Sequence, residues 1–205
     1  MKRIGIFLVL FVLTIQMSVA QSDIERIRTH YGEMKSYIEE MAKWDAEYPV
    51  PTYYKVQIQE NYPGTGRHEE EVYIYHEFEP ADEDVIFPPK RISFVTSKYN
   101  FALRNFYEEF LYDENGEIEF IYVFLPYEID DMDWELRFYF KDGKLIKSIL
   151  KSRNVQGDRH EAGALKVVYD GVSVPKKYED YYKAYFDKSK RYKQLFESIS
   201  AVQHY

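Results

Sequence analysis

Residues Phe106 to Lys151 constrain the fold more than any other stretch, because they read as two β-hairpins in immediate succession. In the first, FYEEFLYDENGEIEFIYVF, the residues Glu114-Asn115-Gly116 suit a three-residue loop. Gly116 takes its left-handed position, where the missing Cβ removes the steric penalty. That register sets Phe106, Phe110 and Tyr112 beside Ile118, Phe120, Tyr122 and Phe124 on one face. A two-residue Asn-Gly turn is the competing register and redistributes those faces. In the second hairpin, WELRFYFKDGKLIKSILK, Asp142-Gly143 makes a two-residue primed turn. It sets Leu136, Phe138 and Phe140 opposite Leu145, Lys147 and Ile149.

The flanking sequence supplies helices and further strands. Ser22 and Glu25 form a capping box. Ile24, Ile27, Tyr31, Met34, Ile38 and Met41 follow as one apolar stripe that ends before Pro49 and Pro51. Residues 53–61 and 71–78 alternate around the turn Pro63-Gly64-Thr65-Gly66, with Val72, Ile74, His76 and Phe78 on one face. Residues 80–89 are acidic and rich in Pro, and 91–96 is a strand with Ile92, Phe94 and Thr96 on one face and Val95 on the other. After a polar loop at 157–163, a short strand at 165–169 stops at Asp170-Gly171. Pro175 then admits a helix striped by Tyr178, Tyr182, Tyr185, Tyr192, Leu195 and Ile199. The implied class is α+β: an antiparallel meandering sheet of about seven or eight strands with the N- and C-terminal helices packed on one of its faces.

The first twenty residues are of another kind. Lys2 and Arg3 precede an apolar run, Ile4 to Ile15, and Ser18-Val19-Ala20 puts small residues where a signal peptidase cuts. The expected organisation is a signal peptide at 1–20 and a single α+β domain at 21–205, periplasmic or secreted after cleavage near Ala20 and with no membrane anchor of its own. Cleavage lowers the formal net charge from -8 to about -10, and an acidic protein of this kind lacks the basic footprint of nucleic-acid binding. The chain has no Cys, which excludes a disulfide framework and a lipidated cysteine.

The pairing of Y-D-E-N-G-E-I-E-F-I-Y with R-F-Y-F-K-D-G-K-L-I resembles a pattern in uncharacterised secreted bacterial proteins with tandem aromatic β-hairpins. The resemblance spans Phe106 to Lys151 and rests on turn chemistry. It implies an exported compartment and an α+β fold, and it brings no catalytic residues.

The hairpins also divide charge. From Phe106 to Glu135 there are eleven acidic residues and no Lys or Arg, whereas 136–160 is predominantly basic. Cross-strand pairing of the two hairpins is one account, worth a few tenths to about 1 kcal/mol per pair. The other is an acidic, aromatic sheet face that binds a partner, a protein or a glycan, through Glu108, Glu117, Glu119, Tyr107, Tyr122 and Tyr139. Asp131, Asp133 and Glu135 are Ca²⁺ candidates, since clustered carboxylates suit that ion, although the glycine and frame of an EF-hand are missing.

No catalytic template emerges. His30, His68, His76, His160 and His204 lack zinc-ligand spacing. His76 falls on an apolar strand face as a core histidine, and Arg159-His160-Glu161 reads as a surface ion cluster. There is no nucleophile elbow and no phosphate-cradling loop, and no cofactor is implied. The expectation is an exported, non-catalytic binding protein. The alternatives are a hydrolase of envelope or dietary polymers using a carboxylate pair, and an assembly subunit with an apolar interface.

Overall fold

The computed structural model describes residues 2–44, 53–82, 85, 88–154 and 163–202, with side chains described from Gln21 to Lys43 in the first helix. Eight antiparallel strands follow one another in chain order across a single sheet. They are β1 (Tyr53–Tyr62), β2 (Gly66–Phe78), β3 (Lys90–Phe101), β4 (Arg104–Tyr112), β5 (Ile118–Ile129), β6 (Met132–Lys141), β7 (Lys144–Asn154) and β8 (Lys166–Gly171). Helix α1 (Lys2–Trp44) precedes them, and a 3-10 turn at Lys176–Tyr178 leads into α2 (Glu179–Val202). This is the expected α+β meander.

The two helices take opposite faces, not one. Ile24, Ile27 and Met34 of α1 bury against Tyr75, Phe94, Leu111, Phe120, Tyr139 and Ile149. Tyr178 of the 3-10 turn and Tyr185, Tyr192 and Phe196 of α2 pack on the other side, against Phe110, Ile121, Leu136, Phe138 and Phe140 among others. Both faces of the strands are therefore apolar, which explains the near-continuous hydrophobic runs of β4 to β6. Each stripe read from helical periodicity lies on the sheet as expected.

Helix α1 runs unbroken through Ser22, so in this chain the Ser22–Glu25 box is interior and not a cap. The apolar segment before it is itself helical and simply continues the ladder. Pro49, Pro51 and most of the 157–163 loop lie outside the described residues.

Both hairpin turns have the expected chemistry. The Asp113 amide donates to Glu117 O at 2.8 Å and the Gly116 amide to Asp113 O at 2.9 Å, closing the three-residue loop. Gly116 has φ +68°. Asp142 and Gly143 both have positive φ, 50° and 68°, as a type I′ turn requires.

The expected faces are corrected beyond those turns. Pairing jumps by one residue between Tyr75/His76 and Phe94/Ile92, between Leu111/Tyr112 and Phe120/Ile118, and between Tyr139/Phe140 and Lys147/Leu145. The extra residues are Ser93, Glu119 and Ile146. They adjoin one row of paired residues, Tyr75–Phe94–Leu111–Phe120–Tyr139–Lys147. A bulge puts two residues opposite one and switches the side-chain alternation. Ile92 and Ile118 thus face α2 while Phe94 and Phe120 face α1. In β7, Ile149 moves to the α1 side and Leu150 takes the place opposite Leu136.

Candidate functional site

The structure first answers the question of charge. The acidic hairpin is neutralised largely by the two helices. Glu109, 1% exposed, accepts hydrogen bonds from the Tyr31 and Tyr107 hydroxyls and from Lys35 Nζ at 2.6 Å. On the opposite face Glu108, fully buried, pairs with Lys188 at 2.7 Å and accepts from the Tyr99 hydroxyl at 2.7 Å. Glu117 meets Lys193 of α2 at 2.7 Å, and Glu119 meets Arg26 of α1 at 2.9 Å. The cross-strand pairs of the acidic stretch, Asp133 with Arg153 and Glu135 with Lys151 at 2.9 Å each, lie within the second hairpin between β6 and β7, and among the described residues no ion pair joins the two hairpins.

The expected partner-binding residues are accordingly dispersed. Glu108, Glu119 and Tyr139 are buried beneath helices. Tyr107 and Tyr122 are half-buried and packed edge to face at 6.2 Å. Burial, helped by Glu135, pushes the Tyr122 hydroxyl up to about 12. Glu117 is exposed but ion-paired. No single face presents all six.

The Ca²⁺ candidates do not converge either. Asp130-Asp131 forms a tight turn with φ 54° and 55°, leaving Asp131 exposed, while Asp133 and Glu135 are taken up by β6–β7 cations. Burial opposes ionisation of Glu135, but Lys151 and Arg137 outweigh it and hold the carboxyl below its ordinary range. Among the described residues no group of three or more His, Asp or Glu side chains is placed to hold a metal ion.

Of the histidines, His76 is core, 4% exposed, with Tyr54 at 5.0 Å and Phe78 at 5.7 Å between ring centroids. His68 Nδ1 donates to Asn100 O at 2.6 Å. His160 and His204 lie outside the described residues.

What the bulges do build is a cleft of about 520 Å³ at the end of the sheet that carries the β4–β5 and β6–β7 turns. Asp23, Arg26 and His30 of α1 form one wall, one helical turn apart. Glu77, Arg91 and Ser93 of β2 and β3 form another, and Glu119 closes the floor. As the extra residue of β5, Glu119 reaches α1, where one oxygen accepts from Arg26 and the other engages His30 Nδ1. That hydrogen bond raises the His30 pKa above its ordinary value against the opposing effect of burial. Arg91 donates to Glu77 at 2.7 Å and to the Glu114 carbonyl at 2.6 Å. Lys141 holds Asp23 at 2.8 Å.

Two polar atoms in this wall stand out. Ser93, 3% exposed, has no hydrogen-bond partner for its Oγ among the described residues, and neither has Arg91 Nε. Burying such a group unpaired costs about 1–3 kcal/mol, and an unsatisfied buried group in a native fold calls for water or a ligand. Sequence reasoning did not single out Ser93, Arg91, Arg26 or Glu77. The available signal was a polar residue interrupting an apolar strand, in Ile92-Ser93-Phe94 and again in Ile118-Glu119-Phe120.

Comparison with protein-family models, curated proteins and solved structures finds no match to this chain. No helix among the described residues is long and apolar enough to cross a membrane.

Proposed function

We propose that this chain is an exported, non-catalytic binding protein that takes a small polar ligand in the cleft at the turn end of the sheet. The observation that carries the reading is that two residues lining that cleft, Ser93 and Arg91, each bury a side-chain atom, Oγ and Nε, that has no partner among the described residues. Its size falls within the roughly 300–1,000 Å³ of ordinary small-molecule sites. The sheet faces support this location over a face-binding mode, because α1 and α2 already cover them.

A carboxylate-pair hydrolase finds less support. A general acid needs a carboxyl with a raised pKa that substrate can reach. Burial does push Glu108 up, but its side chain is sealed beneath α2 against Lys188. In the cleft, Glu119 is clamped between Arg26 and His30. Export rests on the leader-like residues 1–20, and the periplasm or extracellular medium is the proposed location.

The test is thermal denaturation of the exported protein with a defined panel: neutral sugars, amino acids, dicarboxylates and inorganic phosphate. At least one class is expected to raise Tm in the wild type and to lose that effect in Ser93→Val and Arg91→Met. A panel that moves nothing, or a shift that persists in both variants, overturns the cleft reading.

A further inference from the structure

Resting on the cleft reading, we infer that the ligand is a neutral saccharide, recognised through hydroxyls that accept from the β3 wall and donate to the surrounding carboxylates. The argument is one of donor and acceptor balance. Arg26 is already committed to Glu119, Arg91 to Glu77 and Lys141 to Asp23. No ion pair has to be broken for a neutral ligand to enter. A phosphate or carboxylate ligand accepts from Arg91 Nε, but its negative charge is repelled by Glu77 and Glu119, and a carboxylate has no proton for either. An ammonium ligand satisfies the carboxylates but cannot accept from Arg91 Nε, which is a donor only. A hydroxyl does both at one atom, and it also suits Ser93 Oγ as either donor or acceptor.

The electrostatics of the wall agree. Glu77 is near enough to contribute to the raised His30 pKa along with Glu119, so the β2 wall and the β5 floor present carboxylates toward the same space. Acidic side chains outnumber Lys and Arg among the residues lining the cleft. Asp113 Oδ1 at the rim accepts from the amides of Asn115 and Glu117 at 2.8 and 2.9 Å, which stiffens the rim. Paired charges held in place by their own partners make a preorganised set of donors and acceptors, which reduces the ordering cost of binding.

The experiment is titration calorimetry of the exported protein with D-glucose, D-galactose, N-acetylglucosamine and cellobiose, each against charged counterparts: glucuronate, glucose 6-phosphate and glucosamine. A neutral sugar is expected to bind at least tenfold more tightly than its charged derivatives. Ser93→Ala and Arg91→Met should each weaken it tenfold or more. In the wild type, amide resonances of Ser93 and Glu119 should shift with the same saturation, a readout that needs no variant to fold. If a charged derivative binds most tightly at those resonances, the saccharide inference falls and the cleft reading stands. If no compound moves Ser93 or Glu119, both fall, and the two buried groups are served by water alone. Binding with full affinity in Ser93→Ala and no shift at Ser93 likewise overturns the inference.

Discussion

Acidification should weaken this protein through one residue, His76. Its ring is buried among Tyr54, Phe78 and Phe196, and Lys90 lies over the Tyr54 and Phe78 rings at 5.3 and 5.7 Å. Burial, reinforced by the Lys90 charge, lowers its pKa to about 4, whereas an unfolded histidine titrates near 6.5. Between those values the unfolded chain holds the extra proton, so stability rises with pH and falls as pH drops from about 6.5 through about 4. Integrating the shift gives a loss of roughly 2 kcal/mol between pH 7 and pH 5, and roughly 3 kcal/mol once both states are protonated. His30 works in the opposite sense. Its raised pKa makes its contribution full below about 6.5 and lost as pH rises through the folded value. A comparison is therefore needed: urea denaturation at pH 7, 6 and 5 for the wild type and for His76→Leu, which keeps the apolar contacts and removes the proton site. The stability difference should move by about 2 kcal/mol in favour of the variant from pH 7 to pH 5. A difference that stays level across that range, or moves toward the wild type, would refute a neutral buried imidazole.

Glu119→Gln should cost about 1.5–3 kcal/mol, the worth of hydrogen bonds to a charged group, because it loosens both Arg26 and His30. The titration of His30 followed by NMR should return toward 6.5 in the same variant. Gly116→Ala should cost about 1–2 kcal/mol, since the left-handed backbone penalises any Cβ while the nearest atom, 3.6 Å from the new carbon, leaves room for it. Denaturation of Gly143→Ala, with nothing within 4 Å and the same φ of +68°, should show a comparable loss. Ser22→Ala should be near neutral in the uncut precursor, where the helix runs through it. In the chain cut after Ala20 it should cost about 1 kcal/mol by thermal melting, because Ser22 then becomes the cap.

The elements were legible because each has a local cause. Ile24 to Met41 and Tyr178 to Ile199 keep helical spacing, and Asn115-Gly116 and Asp142-Gly143 can do little but turn. The side on which each helix lies was not legible. A single-faced sheet shows alternation, but here β4 carries Phe110 and Leu111 into opposite cores, so neighbouring positions are both apolar and no pattern marks a side. The destination of the acidic hairpin was hidden for a related reason. Pairing partners were sought in the adjacent basic hairpin, whereas Lys35 and Lys188 come from the helices. Their sequence mark is present: Lys188 stands within the α2 stripe between Tyr185 and Tyr192, and Lys35 follows Tyr31 by four residues. A cation set on an apolar helical stripe has to find a carboxylate in the sheet beneath, since an unpaired buried charge is too costly to keep.

The same reasoning makes the bulges the decisive feature of the site. One added residue changes neither composition nor length enough to be noticed, yet it moves every side chain beyond it to the other face. In a sheet covered on both sides this exchange costs little, because an aliphatic or aromatic residue is equally at home under either helix. Ile92 and Phe94, or Ile118 and Phe120, can therefore be split between the two cores without penalty. The residue between them cannot hide in the same way. Ser93 and Glu119 are polar and buried, and Glu119 is affordable only because Arg26 and His30 meet it from α1. Ser93 has no such partner among the described residues. Two polar bulge residues beside one row of the sheet, one satisfied by the helix and one left open, are what turn the end of a meander into a walled cleft. The open one is where a bound hydroxyl would complete the structure.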